Sequence, residues 1–591
     1  MSTQPGGLLP GLEPQGPDTK RLLVTVSLVT AMWMGFQFLM PPPPPKPSTA
    51  STGTASTGTA ASAEATSAPA YSGSGAAAIG APATLSADDA LPEEKRSVSA
   101  DVAAALAAKD GQGEGNSNIK GGYRAELTSR GAQLSAFHLD GYSDPDARKG
   151  APAAINLASA EYQGARVFAL KSRGGDVSLA ADAPYRVLSS DNKRVVFERT
   201  TAEGVTITRS YTFDADRFGF THELVLKNNS DAKKTALLDV ILTGQERAGE
   251  RDEGGLFDAI PDALAGACRV AASREHFTSK EVEDEPKKLE GKVDYAALDR
   301  HYFLAAIVSD AVATERCGAT AYAKTSAETT AHGMQIKVEH APIELAPGEV
   351  KSFQQLAYFG PKQVGLLESF GHELGENIDF GWFGVISRPM LWILVKLYGY
   401  TGNFGIAIIL LTLLMKILTF PLTQKSYVSM QQVRKLKPEV DALQKKYGAD
   451  RQTLGQKQME LYKEKGINPL AGCFPVLVQM PIWFALYRTL SQAVELYQQP
   501  FYLGIMNLTQ PDLLLPFGIS LLPLIVGALM LGQTFMQPPP DDQPQMKYMM
   551  WFMPFMFTFL MLSMASGLSI YMITNSILTM AQQYHIKRKY Q

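Results

Sequence analysis

The sequence predicts an α-helical membrane protein, an N-terminal anchor plus a five-span core bundle, that carries a large antiparallel β-sandwich outside the cytoplasm. Three observations predict it. Residues 380–584 are dominated by Leu, Ile, Met, Phe and Trp. Residues 119–375 show short runs of β-branched and aromatic residues broken by polar turns. One isolated apolar stretch, Leu22–Met40, stands near the N-terminus behind Lys20 and Arg21. The averages, 45 % hydrophobic residues and a net charge of −3, conceal this division.

Leu22–Met40 is long enough to cross about 30 Å of hydrocarbon as a helix. A cleaved signal peptide would have a shorter apolar core and a small-residue cleavage site. Pro41–Pro45 follows instead, so an uncleaved anchor is expected, with residues 1–21 kept in the cytoplasm by the basic pair. Residues 41–118, rich in Ala, Ser, Thr, Gly and Pro, read as a disordered tether. They lack the apolar surface that would offset chain entropy. Gly111, Gly113 and Gly115 lie in this polar segment rather than between a strand and a helix, so they do not form a phosphate loop.

The strand runs include Arg194–Arg199, Gly204–Tyr211 and Phe218–Leu226, punctuated by Ser190-Asp191-Asn192 and Asn228-Asn229-Ser230. His301–Val308, Met334–Val338 and Phe353–Phe359 continue the pattern, which predicts a sandwich over 119–375. Cys268 and Cys317 fall within it. Outside the cytoplasm they are able to pair, but spacing alone leaves two free thiols equally open. The third cysteine, Cys473, lies elsewhere, and no CxxC or Cys/His cluster suggests a metal. No GxxxxGK[ST] motif and no Ser/His/Asp constellation is found. Neither a cofactor nor a hydrolytic centre is expected.

Beyond Phe380 the pattern changes. Trp382–Tyr398 contains Arg388 and Lys396 among apolar residues, which suits a helix lying in the membrane interface over 380–399. A core over 401–585 follows. Its apolar segments are Thr401–Phe420, Ala471–Leu490, Leu513–Met536 and Tyr548–Ala581. The last would be about 50 Å long as one helix, too long for one crossing. A turn at Ser566-Gly567 divides it into 548–563 and 568–584. The basic end, residues 586–591 with His585, then stays inside, for six spans and two cytoplasmic termini. Each half is short, so the bilayer is expected to thin beside it.

Lys416 is the informative residue. A charge within a span is unfavourable by roughly 2.5–3.5 kcal/mol and usually faces a protein interior or a wet cavity. Thr412 shares its helix face, one turn away. Gln479 in the next span and Ser569, Asn575, Ser576 and Thr579 in the last add polar groups, which together would line a hydrophilic groove. The competing readings are snorkelling of Lys416 to the interface, five residues before Pro421, and simple interhelical hydrogen bonding. Residues 422–470 hold ten basic and five acidic residues. Two helices turning near Tyr447-Gly448-Ala449-Asp450 would make a hairpin with an apolar stripe of Val433, Leu436, Val440 and Leu443. Its basic face includes Arg434, Lys435, Lys437, Lys445 and Lys446. Such a face is either a solvated surface or a dock for nucleic acid, lipid or protein.

Asn468-Pro469-Leu470-Ala471-Gly472-Cys473-Phe474-Pro475, continuing to Val478-Gln479-Met480-Pro481-Ile482, resembles the third-span signature of the YidC membrane protein insertases. Phe420-Pro421-Leu422-Thr423, Ser566-Gly567-Leu568, and Asp379-Phe380-Gly381-Trp382-Phe383 with Ser387-Arg388-Pro389 match as well. The resemblance implies five core spans around a groove open to the cytoplasm and to lipid but closed towards the periplasm, in a bacterial inner membrane. It implies that Lys416 attracts polar or acidic parts of an arriving chain. Gram-negative relatives typically have Arg there, so charge is kept and the planar fork is lost. Some relatives have a Tyr where Phe420 stands. The family's sliding surface maps to Val476, Phe484, Tyr571 and Met572, and its cytoplasmic hairpin to 422–470. Its periplasmic domain resembles a sugar-mutarotase-like sandwich without an established catalytic role. Implied partners are nascent membrane proteins, the Sec translocon, the ribosome, the signal recognition particle pathway and membrane lipids. Two rival readings remain. A transporter or channel would favour an inverted repeat, which is not seen. A carbohydrate enzyme would need paired carboxylates and histidines at a pocket.

Overall fold

The computed structural model describes residues 91–590 except 110–118, 144–153, 247–262, 310–312, 326–329, 449, 467–473, 503, 506, 513–514, 516–519 and 537–543. The expected anchor, residues 22–40, lies outside the described residues.

The strand-rich region folds into antiparallel sheets. In the nine-stranded one, Phe303–Val308, Val350–Pro361, Gly219–Asn228 and Val205–Phe213 are consecutive neighbours. Val205–Phe213 largely alternates buried and partly exposed side chains, as a strand with one covered face does. Phe303–Val308 is buried at every position, which its unbroken apolar run FLAAIV requires. A six-stranded sheet contains Thr314–Thr325, Thr330–His340 and Lys234–Gln245. Cys268 and Cys317 are paired, with Cα atoms 6.4 Å apart, and tie the two sheets together. Closing a loop of 49 residues contributes about 4 kcal/mol in the chain-entropy account.

The expected tether needs a correction at its end. Lys95–Ala100 is a strand, antiparallel to Tyr123–Thr128 in a four-stranded sheet, and helix α1 follows at Val102–Lys109. One inward apolar residue, Val98, opposite Ala125, and the wholly buried Val102 fix this segment. Ladder hydrogen bonds to an existing sheet supply the rest, and composition does not reveal them.

Two short helices, α2 (Ser279–Asp284) and α3 (Val364–Phe370), belong to the β domain. Helix α4 (Gly384–Thr401) leaves Val385, Trp392 and Tyr400 exposed. Helix α5 (Phe404–Lys435) runs for 32 residues straight through Pro421. The hairpin read as 422–470 therefore begins with a continuation of the preceding span: a shift to polar composition does not stop a helix. The hairpin proper is α6 (Lys437–Tyr447) and α7 (Arg451–Glu464), whose N-terminus is capped by the Asp450 carboxylate accepting from the Gln452 and Thr453 amides at 3.0 and 3.1 Å. Leu436 and Val440 of the expected stripe are buried.

Helix α8 (Phe474–Gln492) is followed by a long connection to α9 (Leu521–Met536), which starts eight residues later than expected. Asp512 sets that start, because its carboxylate accepts from the Leu521 and Leu522 amides at 2.7 and 3.0 Å. The final stretch is two helices, α10 (Pro544–Met561) and α11 (Ser566–Tyr590), and α11 absorbs most of the basic end read as a separate tail. Gly527 lets α9 meet α10 closely, since a Cβ there would lie 2.1 Å from the Thr558 hydroxyl oxygen. Among the described residues one helical stretch, Phe404–Val433, is long and apolar enough to cross a membrane, and Leu521–Met536 and Met550–Met561 are shorter apolar helices.

Candidate functional site

Helices α5 and α11 run parallel and in register. Lys416 Nζ donates to Asn575 Oδ1 at 3.4 Å, and Gln582 Nε2 donates to Thr423 Oγ1 at 2.9 Å, both across the same sequence offset of 159. The two polar layers are therefore seven residues apart on each helix, the spacing that returns a side chain to one face of a helix pair. Gln583 donates to the Tyr427 hydroxyl at 3.3 Å just beyond.

Lys416 is half-buried. Its shortest bond, 2.7 Å, goes to Thr579 Oγ1, which in turn donates to the Asn575 carbonyl at 2.6 Å. Both partners of the ammonium are neutral oxygens, and among the described residues no carboxylate bridges to it.

The other expected groove residues divide. Thr412 is buried and its hydroxyl is spent on the Ile408 carbonyl at 2.7 Å, so it does not join Lys416. Thr419 and Thr423 bond back along α5 in the same way. Gln479 donates to the Tyr571 hydroxyl at 2.6 Å, linking α8 to α11. Ser569 is fully buried, and its hydroxyl has no hydrogen-bond partner among the described residues. Of the expected sliding surface, Tyr571 is only 2 % exposed, so its ring forms little of the surface. Met572 is half-buried, and Phe484 stacks on Phe383 with centroids 5.7 Å apart. Val476 lies on α8, but its side chain is outside the described residues, as is that of Arg434 on α5. Lys435, Lys437, Lys445 and Lys446 are exposed, and Lys446 lies over the Tyr447 ring at 5.2 Å.

The sequence did not single out Thr579 from the other polar groups of α11, although its place one turn beyond Asn575 marks it. The Thr423–Gln582 layer was also missed, and its signal is the seven-residue repeat of Lys416 and Asn575.

Two family models account for most of the chain. The YidC periplasmic domain matches residues 121–393, and the 60Kd inner membrane protein matches residues 396–591. A membrane protein insertase YidC from Pelobacter propionicus is 33 % identical over 482 residues, covering 79 % of this chain and 85 % of that protein. The chain belongs to the YidC membrane protein insertase family. The YidC of Citrifermentans bemidjiense is likewise 33 % identical, over 475 residues, with 79 % and 84 % covered. A solved structure of an active YidC insertase with its first transmembrane domain resolved matches at 16 % identity and a TM-score of 0.36, across 79 % of this chain and 91 % of that one. That likeness is too low to carry an argument. As a YidC family member the chain is an inner-membrane protein whose β domain is periplasmic.

Proposed function

We propose that this insertase moves polar segments of nascent membrane proteins past the hydrocarbon along a recess centred on Lys416, between α5, α8 and α11. The observation that carries the reading is an ammonium within an apolar helix bonded, among the described residues, only to the neutral oxygens of Asn575 and Thr579. A polar wall lowers the desolvation cost of a short hydrophilic tail. Partitioning of the client's apolar helix into lipid then drives the step, and the membrane potential assists acidic tails. Nothing in this sequence of events needs a nucleotide or a hydrolytic site.

The same reading assigns six crossings with both termini in the cytoplasm, and α4 in the outer interface, anchored by Trp382 and Trp392. The exposed lysines of α6 with Lys435 form a basic cytoplasmic face. That face suits the ribosome and the anionic lipid surface, with delivery through the signal recognition particle pathway and cooperation with the Sec translocon.

Substitution at Lys416 tests it. Lys416→Met is expected to slow insertion of an acid-tailed client about tenfold, the loss of roughly 1.4 kcal/mol, while Lys416→Arg keeps most of the rate. Photo-crosslinkers at positions 416 and 572 should capture a stalled client. Full insertion by Lys416→Met without adducts at either position would sink the groove.

A further inference from the structure

The chain between α8 and α9 closes one end of the helical bundle. Phe501 lies flat on the first turn of α5, where a Cβ on Gly405 would fall 2.0 Å from the ring. The Ser566 and Gly567 amides at the start of α11 donate to the Gln510 and Leu508 carbonyls, each at 2.9 Å, and Asp512 caps α9. One connection thus holds the ends of α5, α9 and α11 and continues directly from α8.

The start of that connection is seated in the β domain. The Gln498 carboxamide makes a two-way bond with the Ser143 backbone: Nε2 donates to the carbonyl at 2.7 Å, and Oε1 accepts from the amide at 3.0 Å. The Tyr497 hydroxyl donates to the same carbonyl at 2.9 Å, and Lys120 Nζ donates to the Tyr497 carbonyl at 2.8 Å. His301 Nε2 bonds the Ser491 carbonyl, within the last turn of α8, at 2.5 Å. The Tyr497 ring packs against Tyr302 and Phe303 with centroids 5.0 and 5.7 Å away. Gln498 itself sits at φ +54°, a left-handed conformation unfavourable for a residue with a Cβ. Such strain persists only where the surroundings over-determine it.

We propose that the periplasmic domain is a brace: through Ser143, Lys120 and His301 it holds the far end of α8 and thereby sets the spacing between α8 and α11. Tyr497 and Gln498 are positioning residues. They are remote from Lys416 and act through the helix whose Gln479 meets Tyr571. The consequence for insertion rests on the reading of the α8–α11 face as the client's path.

The test uses full-length protein in liposomes. Tyr497→Phe with Gln498→Gly removes three of the ties, keeps the ring packing and relieves the left-handed strain. Spin labels at Phe484→Cys and Met572→Cys, in a Cys473→Ser background, report the spacing of the two helices. The expected result is a broadened and displaced distance distribution, with insertion slowed several-fold. A disulfide between Ser143→Cys and Gln498→Cys, added to Tyr497→Phe, should return the narrow distribution. If the doubly substituted protein keeps the original distribution, the brace is refuted whatever the insertion rate. A changed distribution with an unchanged rate would retain the brace and refute the α8–α11 face as the client's path.

Discussion

The β domain and the helical core both hold cations out of bulk water, and they enclose them to different degrees. Arg209 in the β domain is fully buried, and each of its three guanidinium nitrogens is hydrogen-bonded. Its guanidinium donates to the Gly131 and Phe168 carbonyls at 2.7 and 2.8 Å and to His222 Nε2 at 3.1 Å. Lys362 is paired with Asp299 at 2.8 Å and also donates to the Asn377 carbonyl at 3.0 Å. These charges are committed to the fold. Among the described residues Lys416 in the core has only an amide oxygen and a hydroxyl, and it is half-exposed. On the proposed reading, the difference separates a charge that holds structure from one left available to an incoming group.

The largest expected effect lies in the β domain. Arg209→Ala would leave His222 and two carbonyls unpaired in a sealed core, at a cost of about 3–5 kcal/mol. Thermal unfolding of the periplasmic domain should drop accordingly. Lys416→Met should leave the unfolding temperature of the protein unchanged or raise it, because exchanging a partly buried charge for an apolar side chain of similar volume is neutral or stabilising. If the two substitutions destabilise equally, the proposed division of roles fails.

Acidity separates the regions in a second way. Burial pushes His340 down to about 4, so its neutral form is the folded one. Its contribution is complete above the ordinary 6.5 and is lost as pH falls through 4. Burial works against ionised Asp299, yet Lys362 and His276 outweigh it and hold the carboxyl at about 2. Asp299 thus also stabilises at neutral pH and ceases to do so only as pH falls through 2. Glu495, in the junction between domain and core, behaves oppositely. Burial raises it to about 7 against the opposing pull of the Glu495 and Val364 backbone amides, and one carboxyl oxygen has no hydrogen-bond partner among the described residues. Its contribution is complete below 4.5 and is lost as pH rises through 7, on the order of 3 kcal/mol. Between pH 5.5 and 8 the unfolding temperature of the wild type should therefore fall relative to that of Glu495→Gln. Parallel pH curves would remove Glu495 as the cause.

What the sequence made legible follows from the range of the forces involved. Strands such as Val205–Phe213 and Phe303–Val308 announce themselves because burial on one or both faces is written in consecutive residues. The two-helix ending follows from length against bilayer thickness, and Lys416 stands out because a charge in an apolar helix demands a reason. The hidden features depend on distant partners. Lys95–Ala100 is a strand because Tyr123–Thr128 is there to pair with it. The late start of α9 depends on Asp512 folding back over nine residues. The Gln498–Ser143 bond crosses 355 residues. Within the site, polar side chains in α5 and α11 look alike in sequence, and only packing turned Thr579 to Lys416 while sealing Ser569 away.

The smallest expected effect would turn the core's cation into the domain's kind. Asn575→Asp sets a carboxylate where an amide oxygen now stands 3.4 Å from Lys416 Nζ. The new pair competes directly with an acidic client tail for the ammonium. The competition is partial, because Thr579 keeps the shorter bond and the half-exposed pair is screened by water. Insertion of an acid-tailed client should slow about threefold, roughly 0.6 kcal/mol, and a client with an uncharged tail should be unaffected. Equal slowing of both clients would mean that the substitution acts on packing between α5 and α11. An unchanged rate for both would mean that the free charge on Lys416 is not what the client meets.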